Sequence, residues 1–223
     1  MHILDAELIP PEEAHALLAP ILAGHLAGRD LQIALDDELC LADEYDRSGI
    51  LLLPDGARIS GDLKLDYDAA AHGGRTYRGI IALGDLRVAG DILNDDTDGG
   101  PFLVVLGALS VRHIIKGGAP IIVVGPLGAT GIIYCEYNHG SFRAWGGSSA
   151  NGIVIDDQPY DIAAPVKGPL AVLWNGEAHH HLLPEFFYEE DDGTIQPVDD
   201  LSEELKSRIR SGQPIFRSGF PQN

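Results

Sequence analysis

Basic residues are scarce in this chain: 15 lysines and arginines stand against 34 aspartates and glutamates, a formal charge of −19 over 223 residues. Neutralising a phosphate backbone needs a lysine and arginine surface, so no nucleic acid is expected, and a basic partner, or solubility alone, accounts for the charge. Long apolar runs are missing as well. Stretches such as Ile121 to Val124 fall far short of the roughly 18 residues of a membrane helix, so no membrane span is expected. The opening Met1-His2-Ile3 leads straight to Asp5 and Glu7, without the basic stretch and apolar core of a signal peptide, and a cytoplasmic location follows. The two cysteines, Cys40 and Cys135, stand in different segments. That spacing supports neither a disulfide framework nor a zinc site and predicts two buried thiols. No nucleophile elbow, phosphate loop, dinucleotide fingerprint or HExxH motif occurs.

What is present is a repeat between Ile50 and Asp157. Gly61, Gly90, His113, Gly131 and Gly152 mark one register, 29, 23, 18 and 21 residues apart. Two positions after each stand Leu63, Ile92, Ile115, Ile133 and Val154. Two before stand Ile59, Val88, Val111, Ala129 and Ala150, and four before stand Ala57, Leu86, Leu109, Leu127 and Ser148. Ten before, the column reads Leu51, Ile80, Leu103, Ile121 and Phe142; eight before, it reads Leu53, Ala82, Val105, Val123 and Ala144. Steps of two are the side-chain period of a strand, and stacked coils bury what one coil cannot. The fold class expected is all-β: a single-stranded parallel β-helix of five to six coils, right-handed because coil length varies. Glycine at four of the five anchors predicts a corner with positive φ, which histidine tolerates better than most residues.

Flanking segments complete one folding unit, with an acidic cap over residues 1–49, the solenoid over 50–175 and a second acidic cap over 176–223. Pro10-Pro11-Glu12-Glu13 opens a helix that carries Leu17, Leu18, Ile21, Leu22 and Leu26 and stops at Gly24 or Gly28. Leu31 to Leu35 alternates as a strand, and Leu39-Cys40-Leu41 reads as a second short one. Gly168-Pro169-Leu170 echoes Gly125-Pro126-Leu127 and begins a sixth coil. Asp200 caps a C-terminal helix through Ile209 that Gly212 ends.

The coils lengthen at one register: Asp66 to Gly79, Asn94 to Pro101, Lys116 to Pro120, Glu136 to Ser141 and Asp156 to Ala164. Equivalent registers stack about 4.8 Å apart, so these insertions form one continuous edge. It gathers Asp66, Asp68, Asp95, Asp96, Asp98, Glu136, Asp156, Asp157 and Asp161, with Tyr67, Tyr77, Tyr137, Tyr160 and His139 among them. Carboxylates there would steer a basic protein and tyrosines would anchor it. Asn94 to Gly100 has the oxygen density of a calcium loop but not its ligand spacing, and a solvated turn explains it as well. A histidine beside a carboxylate in Glu136 to Gly140 suits proton transfer, yet ordinary turn chemistry accounts for Asn138 and Gly140. His179-His180-His181 cannot all face one way, and Trp145 and Trp174 read as core or cap residues. No catalytic residue, metal or cofactor is expected.

Gly84-Asp85-Leu86-Arg87-Val88-Ala89-Gly90-Asp91-Ile92 and its echo Ser60-Gly61-Asp62-Leu63 resemble coils of the polymer-forming bactofilin group. The resemblance covers about half the chain and implies a right-handed β-helix and end-to-end filaments. The whole arrangement is also similar to stand-alone β-helix proteins encoded beside bacterial polymorphic toxins. That similarity implies a non-catalytic immunity partner that binds a basic protein, such as a secreted toxin domain. A polymer-forming structural protein and a carbohydrate-acting enzyme are the alternatives.

Overall fold

A computed structural model describes residues 6–41, 48–136 and 139–218, and in it short parallel strands wind into a three-faced β-solenoid. The first face stacks Gly49–Leu53, Arg75–Ala82, Phe102–Val105, Ile121–Val123, Phe142–Ala144 and Tyr160–Ile162. The second stacks Ala57–Ile59, Leu86–Val88, Leu109–Val111, Leu127–Ala129, Ser148–Ser149 and Val166–Lys167. The third stacks Leu63–Lys64, Ile92–Asn94, Ile114–Lys116, Ile132–Cys135, Gly152–Ile155 and Leu170–Val172. About four turns have parallel neighbours on both sides. This is fewer than the five to six coils expected, because the first and last rungs have a parallel neighbour on one side only. Tyr160–Ile162 is a strand of the last rung, so the fifth insertion ends before it and not at Ala164.

On the first and second faces the observed register is the expected one. Leu51, Ile80, Leu103, Ile121 and Phe142 are ladder partners in turn, as are Leu86, Leu109, Leu127 and Ser148. The third face differs. Ile114 and Ile153, not Ile115 and Val154, align with Ile92 and Ile133 and enter the central core. The turn from the second to the third face is one residue shorter in those two rungs. A one-residue shift reverses every side chain of a strand, so Ile115 and Val154 point out into a second apolar cluster.

The anchor glycines are not positive-φ corners; none of Gly61, Gly90, Gly131 or Gly152 has that conformation. Crowding explains three of them, by the neighbouring rung at Gly90 and Gly131 and by the C-terminal segment at Gly152. A Cβ on Gly90 would lie 2.1 Å from Asp62 Oδ1 and 2.9 Å from backbone, and one on Gly131 would lie 2.2 Å from the His113 ring. On Gly152 it would meet the Phe216 ring at 2.0 Å, whereas Gly61 has open space. Asp62 and His113, which crowd Gly90 and Gly131, are there to satisfy the next rung. Asp62 Oδ1 accepts the Asp91 amide at 2.8 Å, Asp91 Oδ1 accepts the His113 amide at 3.1 Å, and His113 Nδ1 accepts the Ile132 amide at 2.9 Å. At the corner between the first and second faces, Asp55 accepts the Asp85 amide and Asp85 that of Ala108, both at 2.8 Å. The Gly-Asp pair is thus a stacking device in which aspartate caps the rung above and glycine leaves room for the aspartate below.

Two flanks cover two faces. Glu7–Ile9 pairs antiparallel with Gly49–Leu53, and helix α1 (Pro11–Leu22) follows, with Pro11 at the first turn, where no amide partner is lost, and Pro20 inside its last turn. Leu31 to Leu35 is not a strand: helix α2 (Gly28–Gln32) runs into a π-helical stretch, Ile33–Glu38, and residues 39–41 form no strand. Leu18, Leu22, Leu35 and Leu39 pack on Ile50, Ile81, Val104 and Ile122, the outward side chains of the first face. Burial on both sides is why those strands are unbroken apolar runs. At the other end, helix α3 (Leu201–Ser211) lays Leu201, Leu205 and Ile209 on Ile115, Tyr134 and Val154 of the third face. Gly212 ends it with φ 69°, as expected, but the Asp200 side chain makes no cap bond. The second face stays open, its outward Arg58, Arg87, Ser110, Ser149 and Lys167 all exposed. Among the described residues no helix is long and apolar enough to cross a membrane.

If crowding, not φ, fixes the anchors, Gly90→Ala should lower stability by about 1–3 kcal/mol through overpacking. Gly61→Ala, in open space, should change it by under about 0.5 kcal/mol. Equal losses in urea titrations of the two variants would contradict this account.

Candidate functional site

The loops joining the third face to the first stack on one edge, and their backbone is held from inside the solenoid. Asn94, 1% exposed, donates from Nδ2 to Leu65 and Gly99 carbonyls at 2.9 and 3.0 Å and accepts the Ala119 amide at 2.7 Å. Asp66 Oδ1 accepts the amides of Asp95 and Asp96 at 2.8 and 3.3 Å. Higher up, Gln158 Nε2 donates to the carbonyls of His139 at 2.8 Å and Gly117 at 3.3 Å. These side chains tie each loop to its neighbours. The edge is therefore preordered, and little loop entropy remains to be lost when something binds it.

Beside Asn94 and Cys135 in the same inward column lies Lys116, fully buried, its ammonium donating to the Gly117 carbonyl at 2.8 Å. Burial pushes this ammonium down to about 8, against the pull of Cys135 and Glu38, and pushes the Cys135 thiol up to about 12. The unfolded lysine keeps its proton to about 10.5, so folding sheds a proton between these values and stability rises with pH there. Cys135 acts oppositely from pH 9 upward, because the unfolded thiol ionises first. Tyr134, whose hydroxyl burial raises well above its usual value, deepens the fall at higher pH. Stability should therefore climb from pH 8 to 9, level off and then decline. Lys116→Met should abolish the climb and be more stable at pH 7 by about 2–3 kcal/mol, the worth of the displaced ammonium. Denaturant titrations across pH that show a flat profile in the parent would refute this.

Part of the edge is already occupied, and the occupant is helix α3. Ser202 Oγ donates to Asp156 Oδ2 at 3.3 Å and accepts from Tyr134 Oη at 2.9 Å. Lys206 Nζ pairs with Glu136 Oε2 at 2.5 Å, and Arg210 pairs with Asp95. These contacts fall at residues 202, 206 and 210, and the acids they meet belong to successively earlier loops. Four helical residues rise about 6 Å while coils stack about 4.8 Å apart; residues 202 and 206 meet adjacent coils, whereas the longer Arg210 reaches Asp95 two coils beyond Glu136, past the loop that follows Lys116. The Lys206–Glu136 pair is well covered, with side chains 8% and 12% exposed. Lys206→Ala should strand the carboxylate and destabilise the fold by about 3 kcal/mol, and Lys206→Met with Glu136→Leu should recover most of it. A double variant as unstable as the single one would show that lost packing, not an unpaired charge, is the cause.

The expected site residues thus separate. Asp95, Glu136 and Asp156 face α3, and Asp66 is used on loop amides. Asp161 lies on a strand of the first face and accepts the Trp145 indole N–H at 2.8 Å, with His25 stacked on that indole at 4.4 Å. Tyr77 is no anchor: it is 2% exposed and part of the central core. Tyr137 lies outside the described residues. Asp68, Asp96, Asp98, Asp157 and His139 are exposed on the edge. Tyr67 at 59% and Tyr160 at 39% exposure stand beside them. Asp157 takes φ 42°, a conformation aspartate adopts more readily than most residues. Asp96 Oδ1 accepts the Asp98 amide at 2.9 Å, an ordinary turn bond. Among the described residues no group of three or more histidine, cysteine or carboxylate side chains is placed to hold a metal.

At the end of the edge a cleft of about 590 Å³ opens beside α3, bounded by Asp156, Leu173, Trp174, His179, Phe187 and Ser202. Trp174, expected in the core or a cap, lies outside the core at 63% exposure. His179 accompanies it, with Nδ1 2.9 Å from the Gly176 carbonyl oxygen. Burial raises the Asp156 carboxyl above the usual range, with Ser202 opposing and the charges of Glu136 and Asp157 adding to the rise. The role of α3 escaped the sequence reading, although Lys206, Arg208 and Arg210 cluster conspicuously in so acidic a chain. Comparison with protein-family models, curated proteins and solved structures returns no match.

Proposed function

We propose that this chain is a non-catalytic binding module whose acidic edge takes a basic surface of a protein partner, such as a toxin domain that it neutralises. The observation that carries this reading is the seating of α3. The edge already accepts two basic side chains, at Glu136 and Asp95, and Asp68, Asp96, Asp98 and Asp157 continue it without an ion pair among the described residues. Exposed carboxylates on preordered loops speed encounter with a basic surface, and Tyr67 and Tyr160 offer apolar area beside them. A filament-forming role is less well supported. Glu7–Ile9 already pairs with the first-face strand of the first rung, which head-to-tail stacking would need free.

Co-expression with the products of adjacent genes would supply the partner, and association kinetics would test the edge. Replacing Asp68, Asp96, Asp98 and Asp157 together by serine should slow association on the order of tenfold at low salt and flatten its salt dependence. Dissociation should change less. An unchanged association rate and salt slope would remove the edge from consideration.

A further inference from the structure

The cleft beside α3 has a lining that carries two carboxylates, Asp156 and Asp199, and neither a lysine nor an arginine. Asp156 is largely enclosed, and Ser202 supports its Oδ2 at 3.3 Å. No ion pair neutralises it among the described residues, and burial raises its carboxyl above the usual range, as expected where the anion lacks a counter-charge. Leu173, Phe187, Ile195 and Val198 contribute apolar wall, and the Trp174 ring is 63% exposed at the mouth. A flat aromatic surface, an apolar passage and a half-buried carboxylate match a cation that is planar, weakly hydrated and carried on an alkyl stem. We infer that this cleft receives an arginine side chain of a protein partner, the guanidinium stacking on Trp174 and pairing with Asp156. This rests on the binding reading above and names the anchor within it, since Asp156 also belongs to the acidic edge.

Free N-acetyl-arginine methylamide serves as the probe, followed through the indole N–H resonance of Trp174, which is assigned by its loss in Trp174→Phe. A saturable shift is expected, with binding at least tenfold tighter than that of the norleucine analogue and of cellobiose. Asp156→Asn should weaken it at least tenfold, and Trp174→Ala, at an exposed position, should abolish the parallel shifts of other cleft resonances. An equal response to norleucine, a preference for cellobiose, or an unaffected Asp156→Asn variant would overturn the assignment. Replacing Asp68, Asp96 and Asp98 by serine should leave arginine-amide affinity within twofold, whereas it should slow association with the whole partner. Failure of the cleft and failure of the edge are therefore read separately.

Discussion

Everything in this molecule depends on each rung satisfying the polar groups of the rung next to it. In a parallel stack the strands hydrogen-bond directly, but the corners break the ladder and leave amides that must find another acceptor. Side chains fill the gap: Asp55, Asp62, Asp85, Asp91 and His113 each accept an amide one rung away. A side chain laid flat along the stack occupies the space of the neighbouring Cβ, which is why glycine recurs above aspartate. The repeated Gly-Asp-Leu and Gly-Asp-Ile segments are therefore a hydrogen-bonding requirement written into the sequence. That requirement is common to stacked coils generally, so the motif speaks to shape much more than to ancestry.

How far the fold was legible follows from which residues the pattern could discriminate. Leu86-Arg87-Val88 has one assignment of in and out, and there the expected register is the observed one. Ile114-Ile115 and Ile153-Val154 offer two apolar residues in a row, so alternation alone does not choose between them. A corner one residue shorter decided the matter, and only the three-dimensional path reveals it. Leu31 to Leu35 misled for a related reason. Leu31, Leu35 and Leu39 also recur at the four-residue spacing of a helix, and packing on the first face selected the helix over the strand. Of the candidate site, the stacking of the loops was readable from insertion register. The partners of the acids were not, because the cations that meet Asp95 and Glu136 and the hydroxyl that meets Asp156 arrive from a helix distant in sequence.

The covering of the faces follows the same logic. A strand apolar on both sides needs material on both sides, and the first and third faces receive the N- and C-terminal segments respectively. Glu38, at the end of the N-terminal cover, reaches the edge itself: its carboxylate accepts from Ser141 Oγ at 2.6 Å and pairs with Arg143. The edge is thus flanked by both terminal segments, one through a carboxylate and the other through cations. The second face, whose strands alternate strictly with exposed polar residues, needs no cover and has none among the described residues.

Placing so many carboxylates on one edge works against stability, since like charges repel wherever water does not screen them. The chain offsets this unevenly. Three of its 15 cations lie on α3, where Lys206 and Arg210 neutralise the acids next to the helix and Arg208 pairs with Glu185 and Glu204. Asp68, Asp96, Asp98 and Asp157 have no ion pair among the described residues and are screened only by solvent and salt. The unneutralised part of the edge is consequently bounded by the length of α3 and by the cleft at Asp156. A bound partner bringing bases to that region would relieve repulsion already present in the free protein, adding favourable free energy beyond the contacts it makes. The same repulsion disfavours acidic or neutral partners that bury those carboxylates without pairing them, so one arrangement of charge gives both attraction and selectivity.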